Sequence, residues 1–343
     1  MTADPFSTRG SGRLARRLGA GRVALCVLTA LTGCRADRAA APPSPSAPSA
    51  GSAPSAGSAP SAGSAPSAPS GRSDATLTVG GTQRTYHLYR PAPTGGADPL
   101  ALVVMLHGGF GSGTQAEDSY GWDAEADRHS FVVAYPDGLN RAWNVGGGCC
   151  GRPGRTGVDD VGFVVAMVGA IRNRLPIDPG RIYVTGISNG GMLSYRLACD
   201  TALFAAVAPD SATLLGACPD PHPISLLHLH GTADENIPYA GGQGHGVARI
   251  DGPPVPDVVA AWRHTDACPA PRVSVADPVT DSISDCPQGR TVELITISGA
   301  GHQWPGSRPR AGVEKLLGLD PPSTALDATD VIWTFFERHP APA

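Results

Sequence analysis

The run Tyr183-Val184-Thr185-Gly186-Ile187-Ser188-Asn189-Gly190-Gly191-Met192 constrains this chain more than any other stretch. An apolar strand through Ile182, Tyr183 and Val184 meets Gly186-Ile187-Ser188-Asn189-Gly190, and Met192, Leu193, Tyr195 and Leu197 continue at helical spacing. A serine on so sharp a strand-to-helix turn projects its oxygen above the edge of a sheet. The flanking glycines leave room for a backbone crossing that a Cβ would obstruct. A bare G-x-S-x-G recurs by chance. Set between a β-branched strand and a helix, it marks Ser188 as a candidate nucleophile.

The rest of the chain supplies the sheet this turn needs. Segments 76–79 and 85–89 read as an edge hairpin turned at Gly80-Gly81. Leu100–Leu106 is a continuous apolar run, the mark of a strand covered on both faces. The spacing predicts a helix over 116–128, a buried strand over 131–135 and a glycine-rich, cysteine-stapled loop over 139–157. Asp159 or Asp160 caps a helix to Arg174, with Phe163, Val164, Met167, Val168 and Ile171 on one face. Beyond the serine we expect strands at 205–208, 226–230 and 292–297 and helices at 256–264 and 327–338. Strand and helix alternate from residue 100 onward, which demands a mostly parallel central sheet with helices on both faces. With the serine turn, this is the α/β-hydrolase fold, a subclass of α/β.

The N-terminal residues lie outside that domain. Arg9, Arg13, Arg16, Arg17 and Arg22 form a basic region, and Val23–Leu31 is apolar but too short to span a bilayer. The ending Leu31-Thr32-Gly33-Cys34 looks like a lipoprotein signal over 1–33, whose cleavage leaves Cys34 lipidated; the alternative is an ordinary secretory peptide ending near a cysteine. Arg16-Arg17 gives weak grounds for twin-arginine export. Residues 39–71 contain only Ala, Pro, Ser and Gly, so 34–73 reads as a disordered tether. The catalytic domain is expected at 74–339, with a tail at 340–343, exported and held at the outer face of the membrane by its lipid. Losing five arginines and one aspartate with residues 1–33 takes the formal charge from −4 to −8. With one lysine, Lys315, nothing suggests a nucleic-acid partner, and we expect a monomer.

Six cysteines remain once Cys26 leaves and Cys34 takes lipid, and an even number in an exported chain argues for disulfides. Sequence alone admits many pairings. We favour Cys199–Cys218, Cys268–Cys286 and the neighbours Cys149–Cys150. No C-x-x-C pattern supports a metal.

A serine nucleophile needs a base, and the base needs an orienting carboxylate. In this fold they follow in the order serine, acid, histidine. Asp234 lies just past the strand in Leu226-Leu227-His228-Leu229-His230-Gly231-Thr232-Ala233-Asp234; Asp210, one strand earlier, is its rival. His302, on the glycine-flanked loop after the last core strand, is the candidate base. His228 and His230 share one strand face and read as core residues, since no third metal ligand accompanies them. Leu106-His107-Gly108-Gly109-Phe110-Gly111 is placed to supply an oxyanion donor, the N–H of Gly109, beside that of Asn189.

These motifs, with Trp143-Asn144, Cys149-Cys150-Gly151, Val158-Asp159-Asp160-Val161 and Gly301-His302-Gln303-Trp304-Pro305-Gly306, resemble the family that joins extracellular polyhydroxybutyrate depolymerases and feruloyl esterases. The resemblance covers nearly the whole domain. It implies a secreted carboxylic-ester hydrolase without cofactor, working through an acyl-enzyme on small or oligomeric esters. Ser188, Asp234 and His302 fall on that family's triad positions, and Trp304 falls where related depolymerases hold substrate. Two departures weaken a polymer substrate: Gly109 stands where depolymerases often carry Cys, and few residues follow 339 to form a polymer-binding domain. The competing expectations are an α/β-hydrolase-fold peptidase, for which a selecting domain is wanting, and a surface binding protein on a dead scaffold.

Overall fold

Apolar strands alternate with amphipathic helices, and the computed structural model shows where that alternation leads; it describes residues 70–93, 98–309 and 320–342. The strands and helices, in chain order, are β1 (Gly71–Val79), β2 (Thr82–Arg90), β3 (Leu100–Leu106), α1 (Gly113–Tyr120), α2 (Trp122–His129), β4 (Val132–Pro136), α3 (Gly151–Thr156), α4 (Asp160–Arg172), β5 (Ile177–Ile187) and α5 (Asn189–Asp200). There follow β6 (Ala206–Asp210), β7 (Ser225–Gly231), the short pair β8 (Gly242–Gln243) and β9 (Asp251–Gly252), α6 (Val255–Thr265), β10 (Arg272–Ala276), β11 (Val279–Asp285), β12 (Thr291–Ile297) and α7 (Ala328–Arg338).

Ten strands form one sheet in the order β1-β2-β4-β3-β5-β6-β7-β12-β11-β10. From β4 to β12 every neighbour pair is parallel, and the two hairpins at the edges are antiparallel. The period of two splits β3 cleanly. Leu102, Val104 and Leu106 join one core with Phe163, Leu193 and Trp262, from α4, α5 and α6. Ala101, Val103 and Met105 join the other with Ala116, Trp122 and Phe335, from α1, α2 and α7. The sheet is therefore covered on both faces, as its unbroken apolar strands require, and the α/β-hydrolase fold is established.

Several boundaries differ from the sequence expectation. The helix expected over 116–128 is two helices, broken at Gly121, whose φ of 76° ends one and starts the next. Strand β1 starts at Gly71, three residues inside the stretch read as tether, because its pairing with β2 reaches Arg90. The cysteine-rich loop contains helix α3. The hairpin β10–β11 was not expected; all five residues of β10 are exposed, so it carries no burial signal. Asp159 does cap α4, its side chain accepting from Gly162 N–H at 2.7 Å. The signal segment, Cys34 and the tether to residue 69 lie outside the described residues. The three expected disulfides, Cys149–Cys150, Cys199–Cys218 and Cys268–Cys286, are present.

Candidate active site

The parallel strands all end at one edge, and every candidate residue sits just past an end: the 107–111 loop after β3, Ser188 after β5, Asp234 after β7 and His302 after β12. Ligand sites of open α/β sheets form at this carboxyl edge.

Ser188 has φ 57° and ψ −122°, a conformation that costs a non-glycine residue about 1–3 kcal/mol. Its N–H is held by Asp210 C=O at 2.9 Å, and Met192 N–H returns to its own C=O at 2.8 Å. Gly190 makes the crossing possible, since the place of its missing Cβ is taken by the carbonyls of Leu106 and His107. The serine turn is thus pressed against the end of β3. A Cβ on Gly108 would lie 3.5 Å from Ser188 Cβ, and one on Gly109 4.0 Å from Asn189 Cβ.

Two N–H groups are open at that contact. Asn189 begins α5, so its N–H has no acceptor within the helix. The N–H groups of Phe110 and Gly111 donate to Arg141 C=O and Gly108 C=O, whereas that of Gly109 has no acceptor among the described residues.

The acid and the base meet because β7 and β12 are parallel neighbours and their following loops are stitched together. Thr232 N–H donates to Ile297 C=O at 3.0 Å and Ala233 N–H to Ala300 C=O at 2.9 Å. Gly231 permits the approach, for Ala300 C=O occupies the place of its Cβ. His302 Nδ1 then donates to Asp234 Oδ2 at 2.7 Å, while Asp234 Oδ1 accepts from the N–H groups of Asn236 and Ile237 at 2.9 and 2.8 Å. Burial alone would raise the Asp234 carboxyl; the facing His302 and the Ile237 N–H outweigh it and hold the group below the ordinary carboxylate value. Asp234 is a buried anion, and His302 Nε2 is the nitrogen left to act as a base. Ser188 Oγ makes no hydrogen bond among the described residues, so the histidine–aspartate half of the relay is closed and the serine–histidine half is open. Such contacts are often long until substrate binds.

Asp210, the rival acid, bonds His302 in no way and has both side-chain oxygens unpartnered in the core. Burial and then the neighbouring charge of Asp234 push its carboxyl well above the ordinary range. His228 and His230 are core residues, bonded to each other at 2.9 Å. Among the described residues, no group of three or more His, Cys, Asp or Glu could hold a metal.

One expectation is corrected. Trp304 does not face a substrate. It is fully buried between Tyr120 and Trp122, with Nε1–H donating to Thr329 Oγ1 at 3.1 Å. The apolar indole gains more from the core of α2 and α7 than from a wet loop. The sequence reading also assigned no role to the segment 138–143, which embraces the 107–111 loop. Gly138 N–H donates to His107 Nε2 at 3.0 Å and Trp143 Nε1–H to His107 C=O at 2.8 Å. Burial lowers the His107 imidazole to about 4, so it stays a neutral acceptor. Glycine spacing exposed the 107–111 loop and a motif marked Trp143, but nothing in the sequence showed that the two segments bond through His107.

Residues 84–231 match the family model described as Esterase PHB depolymerase. The chain is 30% identical over 276 residues to "Putative esterase NocK" of Nocardia uniformis subsp. tsuyamanensis, covering 68% of this chain and 76% of that protein. It is 30% identical over 229 residues to Feruloyl esterase B of Piromyces equi, which covers 62% of this chain but spans only 41% of that protein's length. Among solved structures, an acetyl xylan esterase from Aspergillus awamori superposes with a TM-score of 0.52 at 16% identity, over 71% of this chain and 97% of that one, a likeness of fold. On the sequence matches, the chain belongs to the Esterase PHB depolymerase family, a family of carboxylic-ester hydrolases.

Proposed function

We propose that this protein is a serine carboxylic-ester hydrolase acting through an acyl-enzyme. Ser188 Oγ attacks the ester carbonyl while His302 Nε2 takes its proton. Asp234 holds the imidazole in the tautomer that leaves Nε2 free and stabilises the cation that forms. The carbonyl oxygen gains negative charge and is received by the N–H groups of Gly109 and Asn189, each worth about 3–4 kcal/mol of barrier. The alcohol leaves with the proton from His302. Water then repeats the sequence on the acyl-serine, so that a carboxylic acid and Ser188 are restored. No cofactor enters.

One observation carries this reading: the 2.7 Å bond between His302 and Asp234, formed across 68 residues of chain at the edge where the strained Ser188 stands. We take the substrates to be 3-hydroxyacyl oligomers or feruloyl and short acyl esters rather than crystalline polyester. Support comes from the family and from the feruloyl esterase relative. Export and tethering through Cys34 are part of the same proposal, supported by three disulfides, which form in oxidising compartments.

The test is hydrolysis of p-nitrophenyl butyrate, methyl ferulate and 3-hydroxybutyrate oligomers by the wild type and Ser188→Ala. The variant should lose turnover and labelling by a fluorophosphonate. A wild type that cleaves none of these esters and takes no label overturns the reading.

A further inference from the structure

Phe110 is an exposed aromatic residue held in a backbone conformation that bulky side chains avoid. Its φ is 65°, in the left-handed region, where a non-glycine aromatic is an outlier. The residue is 56% exposed, and the other four large apolar residues left exposed among the described residues are valines. Such strain persists only where neighbouring structure enforces it, and it gathers at functional sites. Here the enforcement is visible. Phe110 N–H donates to Arg141 C=O at 2.8 Å, and Arg141 Nε donates to the next carbonyl, Gly111, at 3.3 Å. Arg141 and Asn140 hold positive φ as well, at 60° and 52°.

Its place in the chain gives the strain a purpose. Phe110 directly follows Gly109 and lies two residues from Gly108, whose Cβ position is 3.5 Å from Ser188 Cβ. Two steps of about 3.8 Å bound the distance between the Gly108 and Phe110 Cα atoms. A phenyl ring there is within reach of a group esterified to the serine. In water an exposed ring gains little; covered by a second flat ring it gains both area and the directional attraction of stacked π systems.

We propose that Phe110 is a specificity-determining residue, the platform on which the planar aromatic group of an aryl-bearing ester stacks. This rests on Ser188 being the nucleophile. The strained backbone leaves the ring exposed, on the loop beside Ser188, instead of folded onto the protein.

The experiment compares methyl cinnamate with methyl 3-cyclohexylpropanoate, esters of like size with a flat and a puckered ring. In Phe110→Gly the ratio of their kcat/KM values should fall about five- to tenfold, the worth of one aromatic contact. Phe110→Tyr should restore the ratio. The glycine variant should also melt no lower than the wild type, because glycine is at home at this φ. An unchanged ratio in Phe110→Gly, or a lowered melting point with no change in ratio, overturns the proposal by making the ring a structural one. A wild type inactive on both esters and on p-nitrophenyl butyrate, or a Ser188→Ala as active as the wild type, overturns the underlying reading and this one with it.

Discussion

Asn189 grips the backbone of Trp143 at both ends of its amide, accepting from the Trp143 N–H at 2.7 Å and donating to the Trp143 C=O at 3.1 Å. Trp143 in turn donates through Nε1 to His107 C=O at 2.8 Å. One buried tryptophan therefore ties together the two segments that carry the open N–H groups of Gly109 and Asn189. Donors fixed in advance stabilise developing charge because they need not reorganise during the reaction. Trp143→Phe keeps a smaller aromatic ring in the site and removes the indole N–H. We expect kcat on p-nitrophenyl butyrate to fall roughly tenfold, less than the 10²–10³ of losing a donor outright, with KM within about twofold. A rise in KM at constant kcat would refute this linkage.

The choice between the two aspartates makes a second prediction. Asp234 is held below the ordinary carboxylate value and bonded to His302, while burial pushes the Asp210 carboxyl well above it. Asp234→Asn should lower kcat by about 10⁴, as the wrong imidazole tautomer is then favoured. Asp210→Asn keeps nearly the same shape at a side chain that does not bond His302. Its kcat should stay within a few-fold of the wild type, and the reverse pattern would move the acid to β6.

The contrast between these residues shows what was legible in the sequence. Ser188, Asp234 and His302 each follow a strand that its apolar run reveals, so topology alone carries them to one edge. The 107–111 loop was visible through its glycines. The bonds that join Asn189 to Trp143 were not, as side chain-to-backbone bonds between distant segments leave no periodic trace. Trp304 misled for a related reason: it stands beside His302 in sequence, but its ring turns inward. The helix break at Gly121 and the exposed hairpin β10–β11 were obscured by apolar patterns too short, or too weakly buried, to read.

Behind the acid lies a buried chain of hydrogen bonds whose polarity can be fixed. His230 Nε2 faces Ile237 C=O at 2.9 Å, a group that can only accept. Burial pushes both imidazoles below the ordinary histidine value, which favours the neutral form. His230 must then accept at Nδ1 from His228 Nε2–H, and His228 Nδ1 accepts from Tyr195 O–H at 2.7 Å. The chain ends on the same turn whose N–H groups hold Asp234 Oδ1. In His230→Leu the Ile237 carbonyl and the His228 N–H lose their partners, at about 1–3 kcal/mol each. A lower urea midpoint should accompany a kcat reduced about tenfold. Loss of stability with kcat intact would show that the chain braces the core without positioning Asp234.

An acid remote from this chemistry ties stability to pH. Glu293, on β12, is buried and one of its oxygens has no partner. Burial, with the charge of nearby Asp281, pushes its carboxyl from the ordinary 4.5 up to about 7. The folded state thus holds a proton that the unfolded chain releases between those values. Where the native state binds more protons, stability falls as pH rises. The contribution is full below pH 4.5, declines through the interval and is lost above about 7. Asp123, raised by burial to about 6, slopes the same way, so the two add. Glu293→Gln cannot ionise. Its melting temperature should exceed that of the wild type at pH 8, and the two curves should converge towards pH 4.5. Calorimetric scans across this range decide the matter, and parallel curves would show that Glu293 is ionised in the folded protein at no cost.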